Sequence, residues 1–299
     1  MELSRLKWIY LTVLSVVWGS SFILIKKSLL GLTPIEIGAF RILLASLFLL
    51  LIGHKKLKTI NRHQWKWIAV AGFVGTFIPA FFFAFAQTEI DSAITSILNA
   101  TTPLMTLIFG ALLFSIGFTK QQLLGVIIGL LGCLLLIWQG ADVNPNQNYW
   151  YVLFVLVATV CYAMNVNILK TRLEALSALA ISTGSFLVLM VPALLILIFS
   201  GFFGKDFSNT ATVEALGFVS LLSIVGTALA LLLFNNLIKI STPVFSSSVT
   251  YTIPIVALVW GVLDGEKFTL WQALATLVII LGVVLANRKR KRKQKTAPV

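Results

Sequence analysis

The 299-residue chain is 59% hydrophobic and only 11% charged, with a net charge of +13, and its mean hydropathy of +0.98 is far outside the range of water-soluble domains. No soluble fold hides that much apolar side chain, so the chain is expected to lie in a bilayer. At about 20 apolar residues per span, about ten spans account for nearly the whole length and leave no room for a separate soluble catalytic domain. The basic residues form no groove-reading surface, so no nucleic-acid partner is expected.

In chain order, the charged start with Arg5 and Lys7 gives way to an apolar run from Trp8 to Ile25. No small-residue cleavage site follows, so this run reads as an uncleaved first span. Further runs predict helices over 36–53, 65–88, 92–115 and 122–138, then 149–169, 178–200, 214–237, 244–263 and 270–287. All are helices because a spanning backbone must satisfy its own polar groups. The expected fold class is therefore an all-α integral membrane protein of ten transmembrane helices.

Charge then orients these spans. Lys55, Lys56, Lys58, Arg62, Lys120, Lys170, Arg172, Lys239 and the basic tail over 288–295 all fall on the side of the N-terminus, against Lys26, Lys27, Lys205 and Lys267 on the other. Positive-inside bias therefore predicts cytoplasmic N- and C-termini. The tail is expected to meet anionic lipid headgroups.

The two halves repeat one another. FTKQQLLGVIIGLLG from Phe118 matches FTLWQALATLVIILG from Phe268 at an offset of 150, pairing Gln122 with Gln272 and Gly132 with Gly282. Pro103 pairs with Pro254 and Gly110 with Gly261 at an offset of 151, while Trp18 pairs with Tyr162 and Lys26 with Lys170. A five-helix unit has an odd number of spans, so its second copy must enter from the opposite side. The expected organisation is a first repeat over 1–140, a second and inverted repeat over 141–287, and a basic cytoplasmic tail over 288–299.

The motifs VVWGSSF in the first helix, TTPLMTLIFGALL in the fourth, and IPIVALVWGVLDGEKFTLWQALATLVIILGVVL in the last pair resemble the EamA-type members of the drug/metabolite transporter superfamily. The likeness covers nearly the whole chain. Two positions depart from the family pattern: Ser21 stands where Asn is common, and Ser115 where a Glu is expected, although its counterpart Glu266 is present. The resemblance implies a secondary transporter exporting small metabolites, such as amino acids, or xenobiotics across a bacterial inner membrane. A membrane-embedded enzyme or a channel-like facilitator is the alternative, but no HExxH pair, no GxxxxGK[ST] loop and no pair of membrane-centred aspartates occurs. No cofactor and no metal is expected, and no pattern speaks to oligomeric state.

Polar residues in lipid are costly unless satisfied, so their faces matter. Ser92, Ser96, Asn99 and Pro103 share one face of the fourth helix, and Pro243, Ser247, Thr250 and Pro254 stand at the aligned positions of the ninth. These stripes either line a substrate path or glue helices together. Trp18 and Ser21 in the first helix correspond to Tyr162 and Asn165 in the sixth, and Trp18 is too deep for an interfacial role, so it either stacks on substrate or packs. Gln87, Tyr251 and Asn167 are further lining candidates. Arg41 is the only charge well inside a span; it either snorkels to the outer surface, pairs with Glu36, Glu89 or Asp91, or holds an anionic substrate group. Glu266 is expected to cap the last helix, the Gly125, Gly129 and Gly132 series to allow close helix approach, and Cys133 and Cys161 to pack as small hydrophobes.

Overall fold

The computed structural model describes residues 3–114, 119–143, 146–241, 246 and 249–287. Among the described residues there is no strand. Eight helices among the described residues are long and apolar enough to cross a membrane, and two shorter apolar helices, Thr252–Leu263 and Leu270–Gly282, follow them. With their full bounds the helices are α1 Leu3–Ser28, α2 Pro34–Gly53, α3 Arg62–Ala86, α4 Ser92–Phe114, α5 Lys120–Val143, α6 Val152–Arg172, α7 Ala178–Phe199, α8 Thr210–Ile240, α9 Val249–Leu263 and α10 Leu270–Asn287. They follow the predicted runs, with α1 and α8 extending further at their starts.

Polar residues at the breaks between apolar runs start the helices. Thr33 with Glu36 and Asn61 with Gln64 form capping boxes at α2 and α3, each satisfying orphan backbone donors reciprocally. The aligned glutamines do the same work. Thr119 N–H donates to Gln122 Oε1 at 2.8 Å and Gln122 N–H to Thr119 Oγ1 at 3.2 Å; Thr269 and Gln272 repeat the exchange at 2.9 and 3.3 Å. Gln122 and Gln272 thus begin α5 and α10.

Three interruptions shape the middle of the bundle. Pro79 has no N–H to offer the Gly75 carbonyl, and α3 widens into a π turn over Phe73–Phe77 just ahead of it. Pro103 likewise releases the Asn99 carbonyl, and α4 breaks between Asn99 and Thr102. The Thr102 hydroxyl donates to that carbonyl at 2.7 Å. In α8, without a proline, the Thr227 hydroxyl donates to the Leu222 carbonyl five residues back at 2.9 Å, and a second π turn spans Ile224–Leu229.

Packing sorts the helices into two groups. α1 lies against α8 and α9, α6 lies against α3 and α4, and α2–α7 and α5–α10 contacts join the groups. The α5–α10 seam is built on glycine: a Cβ on Gly282 would come within 2.6 Å of Gly129 Cα, and one on Gly132 within 2.8 Å of Ile279 N. Small residues let two backbones approach where hydrocarbon offers no hydrophobic drive. The outer faces of the pair carry exposed Leu131, Leu134, Leu277 and Leu281, as lipid contact requires. Cys133 and Cys161 are both buried and free.

Gly282→Val is therefore expected to destabilise the protein by about 1–3 kcal/mol through overpacking, read as a lower melting temperature in detergent. Gly217 of α8, where an added Cβ would meet nothing within 4 Å, supplies the control: Gly217→Ala is expected to leave the melting temperature unchanged or slightly raised.

Candidate functional site

A cavity with an empty volume of about 1060 Å³, open mouth included, lies among α1, α2, α3, α4, α6, α8 and α9. The structure brings Trp18, Ser21, Arg41, Asn99, Tyr162, Asn165 and Thr250 together on its wall. Other expected lining residues stand elsewhere. Ser96 is fully buried with its hydroxyl on the Ala93 carbonyl at 2.7 Å. Pro103 and Pro254 are buried in α4 and α9 outside the lining, where Pro103 acts on the wall through the backbone break. Gln87 ends α3, buried and away from the cavity. Asn167 donates to the Ala163 carbonyl at 3.0 Å, as helix packing. Ser247 and Pro243 lie outside the described residues, as does the Tyr251 side chain.

The wall also contains residues that spacing and polarity do not single out: Gly75 and Thr76 from the α3 π turn, and Gly226 and Thr227 from that of α8. A Cβ on Gly75 would meet Asn165 Cγ at 2.5 Å, and one on Gly226 would meet Ser21 Oγ at 2.9 Å. The Trp18 indole N–H donates to the Gly226 carbonyl at 3.1 Å, and its ring meets Phe234 edge-on at 5.0 Å between centroids. Tyr162 stacks on Phe83 at 5.9 Å. Both turns read Val-Gly-Thr, at 74–76 and 225–227. Their offset of 151 matches that of Pro103 and Pro254, which is the signal in the sequence that marks them.

Arg41 is the charged group of the wall. Its Nε donates to Thr227 Oγ1 at 2.6 Å. None of its expected carboxylate partners reaches it: Glu36 accepts from Lys205 at 3.2 Å and from Thr33 N–H at 2.7 Å, Glu89 accepts from Asn148 N–H at 3.3 Å, and Asp91 accepts from Gln147 at 3.0 Å. Helix ends nearby take those carboxylates, which lie beyond the reach of a side chain rooted deeper in α2. Asn165 Oδ1, on the same wall, is buried and has no hydrogen-bond partner among the described residues.

A cluster of charges ties helix ends together. At the end where α1 finishes, Lys26 pairs with Asp264 at 2.8 Å and with Glu266 at 2.9 Å, and Lys27 pairs with Asp264. Glu266 also accepts from Ser92 N–H at 3.0 Å, Ser92 Oγ–H at 2.6 Å and Ala93 N–H at 3.0 Å. Glu266 therefore caps a helix, as expected, but the helix is α4 rather than α10. Because Glu266 precedes Leu270 by a turn of loop, it faces the orphan donors of its neighbour instead. The contact clasps α4, which packs with α6, to α1 and α9. Burial raises the Asp91 carboxyl above its ordinary range, with the Glu266 charge adding to it. Burial acts likewise on Asp264, but hydrogen bonds and charge from Lys26 and Lys27 outweigh it and hold that carboxyl below its usual 3.8.

The EamA-like transporter family matches residues 6–138 and again 149–288. The chain belongs to the EamA-like transporter family. It is 26% identical to the inner membrane transporter YedA of Escherichia coli K12 over 93% of this chain and 89% of that one. A transporter of Archaeoglobus fulgidus is 25% identical over 95% and 99%. Solute carrier family 35 member F5 of Bos taurus is 30% identical over 44% of this chain and 27% of its own. A solved crystal structure superposes with a TM-score of 0.66 over 95% of this chain and 96% of that one, at 15% identity, which speaks to the fold. The chain is thus a multi-pass membrane transporter by family.

Glu266→Gln removes one of the two carboxylates that meet Lys26, leaving Asp264, and weakens the α4 cap. The expected loss is about 1–2 kcal/mol at pH 7, read as melting temperature in detergent, while Asp206→Asn on the exposed loop leaves it unchanged. A carboxyl depressed in the folded state stabilises above its unfolded pKa and loses that contribution as pH falls through the folded value. Asp264→Asn is therefore expected to cost stability at pH 7 and to converge with the parent only below pH 3.8.

Proposed function

We propose that this chain is a secondary transporter that exports small molecules by alternating access, built as ten spans in two inverted five-helix repeats over 1–140 and 141–287. The observation that carries the reading is a paired contact around the cavity. Ser21 of α1 meets Gly226 in the α8 π turn, and Asn165 of α6 meets Gly75 in the α3 π turn. The same relation is expected twice if the halves are two copies related by inversion, and the family model matching once in each half agrees with it. Inverted-repeat carriers bind near the midplane at the repeat interface, where α1, α3, α6 and α8 carry their π turns and polar wall.

The distribution of Lys and Arg supports cytoplasmic termini, and the likeness to an inner membrane transporter of Escherichia coli supports a bacterial inner membrane. In that orientation the Glu266 clasp lies at the outer end of the bundle, where its release would free α4 from α1 and α9. The basic tail over 288–295 then lies at the cytoplasmic surface, where anionic headgroups attract it.

Asn99 and Thr250 test the path. Asn99→Ala and Thr250→Val are expected to reduce efflux of a labelled metabolite panel about fivefold at unchanged membrane abundance, the equivalent of one lost hydrogen bond of about 1 kcal/mol. Loss of abundance with unchanged efflux per molecule assigns both residues to packing instead. Cysteines at 99 and 250, after removal of Cys133 and Cys161, are expected to react with water-soluble thiol reagents.

A further inference from the structure

Arg41 is the single charged side chain among the described residues that line the cavity. Its guanidinium stays protonated throughout the accessible pH range. Among the described residues it is hydrogen-bonded only through Nε, to Thr227, and no carboxylate lies within 4.0 Å of it, because the ion pairs of the bundle engage Lys26, Lys27 and Lys205. A half-buried cation on the cavity wall attracts an opposite charge more strongly than it would in open water. The rest of the wall carries the aromatic faces of Trp18, Phe83 and Tyr162 and neutral polar groups such as Ser21, Asn99 and Thr106, and Asn165 Oδ1 is buried there with no partner among the described residues.

Resting on the carrier reading above, we propose that the cavity selects small organic monoanions: a carboxylate engages the Arg41 fork, a flat apolar body lies against Trp18, Phe83 and Tyr162, and a hydroxyl or amide N–H donates to Asn165 Oδ1. Each competing class leaves something unmatched. A cation finds aromatic faces that attract it, but it shares a low-dielectric cavity with Arg41 and finds no acidic side chain on the described wall. A zwitterion answers Arg41 and brings an ammonium with no carboxylate to meet. A neutral molecule leaves the guanidinium unanswered, and a dianion brings a second charge that no second cation balances. Planar guanidinium donors favour a planar carboxylate bidentately.

Charge selection is measured apart from substrate identity with Thr106→Cys, a position on the cavity wall, in a chain carrying Cys133→Ala and Cys161→Ala. Its rate of modification by the anionic 2-sulfonatoethyl methanethiosulfonate and by the cationic 2-(trimethylammonium)ethyl reagent is divided by each reagent's rate on free mercaptoethanol. The normalised anion-to-cation ratio is expected to exceed about ten, as a charged cleft concentrates its counter-ion, and to fall to about one or below in Arg41→Gln. Arg41→Lys keeps the charge, so it retains the ratio, while loss of the planar fork weakens protection by 4-hydroxyphenylacetate; this variant and the parent ratio decide the matter if Arg41→Gln does not accumulate. 4-Hydroxyphenylacetate is expected to slow modification by the cationic reagent, tyramine to leave it unchanged, and tyrosine to act more weakly than the acid. A parent ratio near one, a ratio that Arg41→Gln leaves intact, or better protection by tyramine overturns the monoanion proposal and leaves the carrier path standing. Failure of both reagents to react overturns both, because a sealed cavity admits no anion.

Discussion

Inside a hydrocarbon layer a backbone carbonyl that loses its helical donor has no water to turn to, so breaks in the ladder survive only where something else answers them. In this chain the breaks cluster around one cavity. Pro79 widens α3 at Gly75, Pro103 opens α4 at Asn99, and the Thr227 hydroxyl widens α8 at Gly226. Two of these carbonyls meet a side-chain donor: the Thr102 hydroxyl on Asn99 and the Trp18 indole on Gly226. The irregular backbone makes the turns at which Gly75 and Gly226 admit Asn165 and Ser21, and so it shapes the wall that a substrate would meet.

Charge is distributed by the same scarcity of solvent. Lys26, Lys27, Asp264 and Glu266 meet at helix ends, where partners and water are within reach, and there they hold α4 against α1 and α9. Arg41 sits apart from that cluster and keeps its charge facing the cavity. A clasp at one end and a single cation in the middle give the bundle a polarity that its apolar packing alone lacks.

Much of this is legible in the residues. Period, length and punctuation locate the helices because hydrocarbon permits little else, and Trp18, Ser21, Tyr162 and Asn165, singled out together in the sequence, line one cavity. The polar stripe of α4 reads as one face, yet the structure divides it. Asn99 reaches the cavity, while Ser96 turns its hydroxyl onto its own helix, a choice that depends on which neighbour packs there and that spacing cannot express. The Val-Gly-Thr turns escape notice because π turns carry no periodic signature, and the glycines matter through the side chain that approaches them. Glu266 reads correctly as a cap, but sequence proximity points to α10 when the orphan donors within reach are those of α4.

In the proposed alternating cycle, opening at the outer end requires release of the contact by which Glu266 holds α4 to α1 and α9. Spin labels on exposed Leu30, between α1 and α2, and Thr88, between α3 and α4, span that clasp, and pulsed electron resonance reads the distance between them in the chain freed of Cys133 and Cys161. With Glu266 intact the distribution is predicted to be dominated by one short distance, and Glu266→Gln to populate a second, longer one. An identical single distribution in both proteins would contradict the clasp, and with it the alternating opening of the cavity.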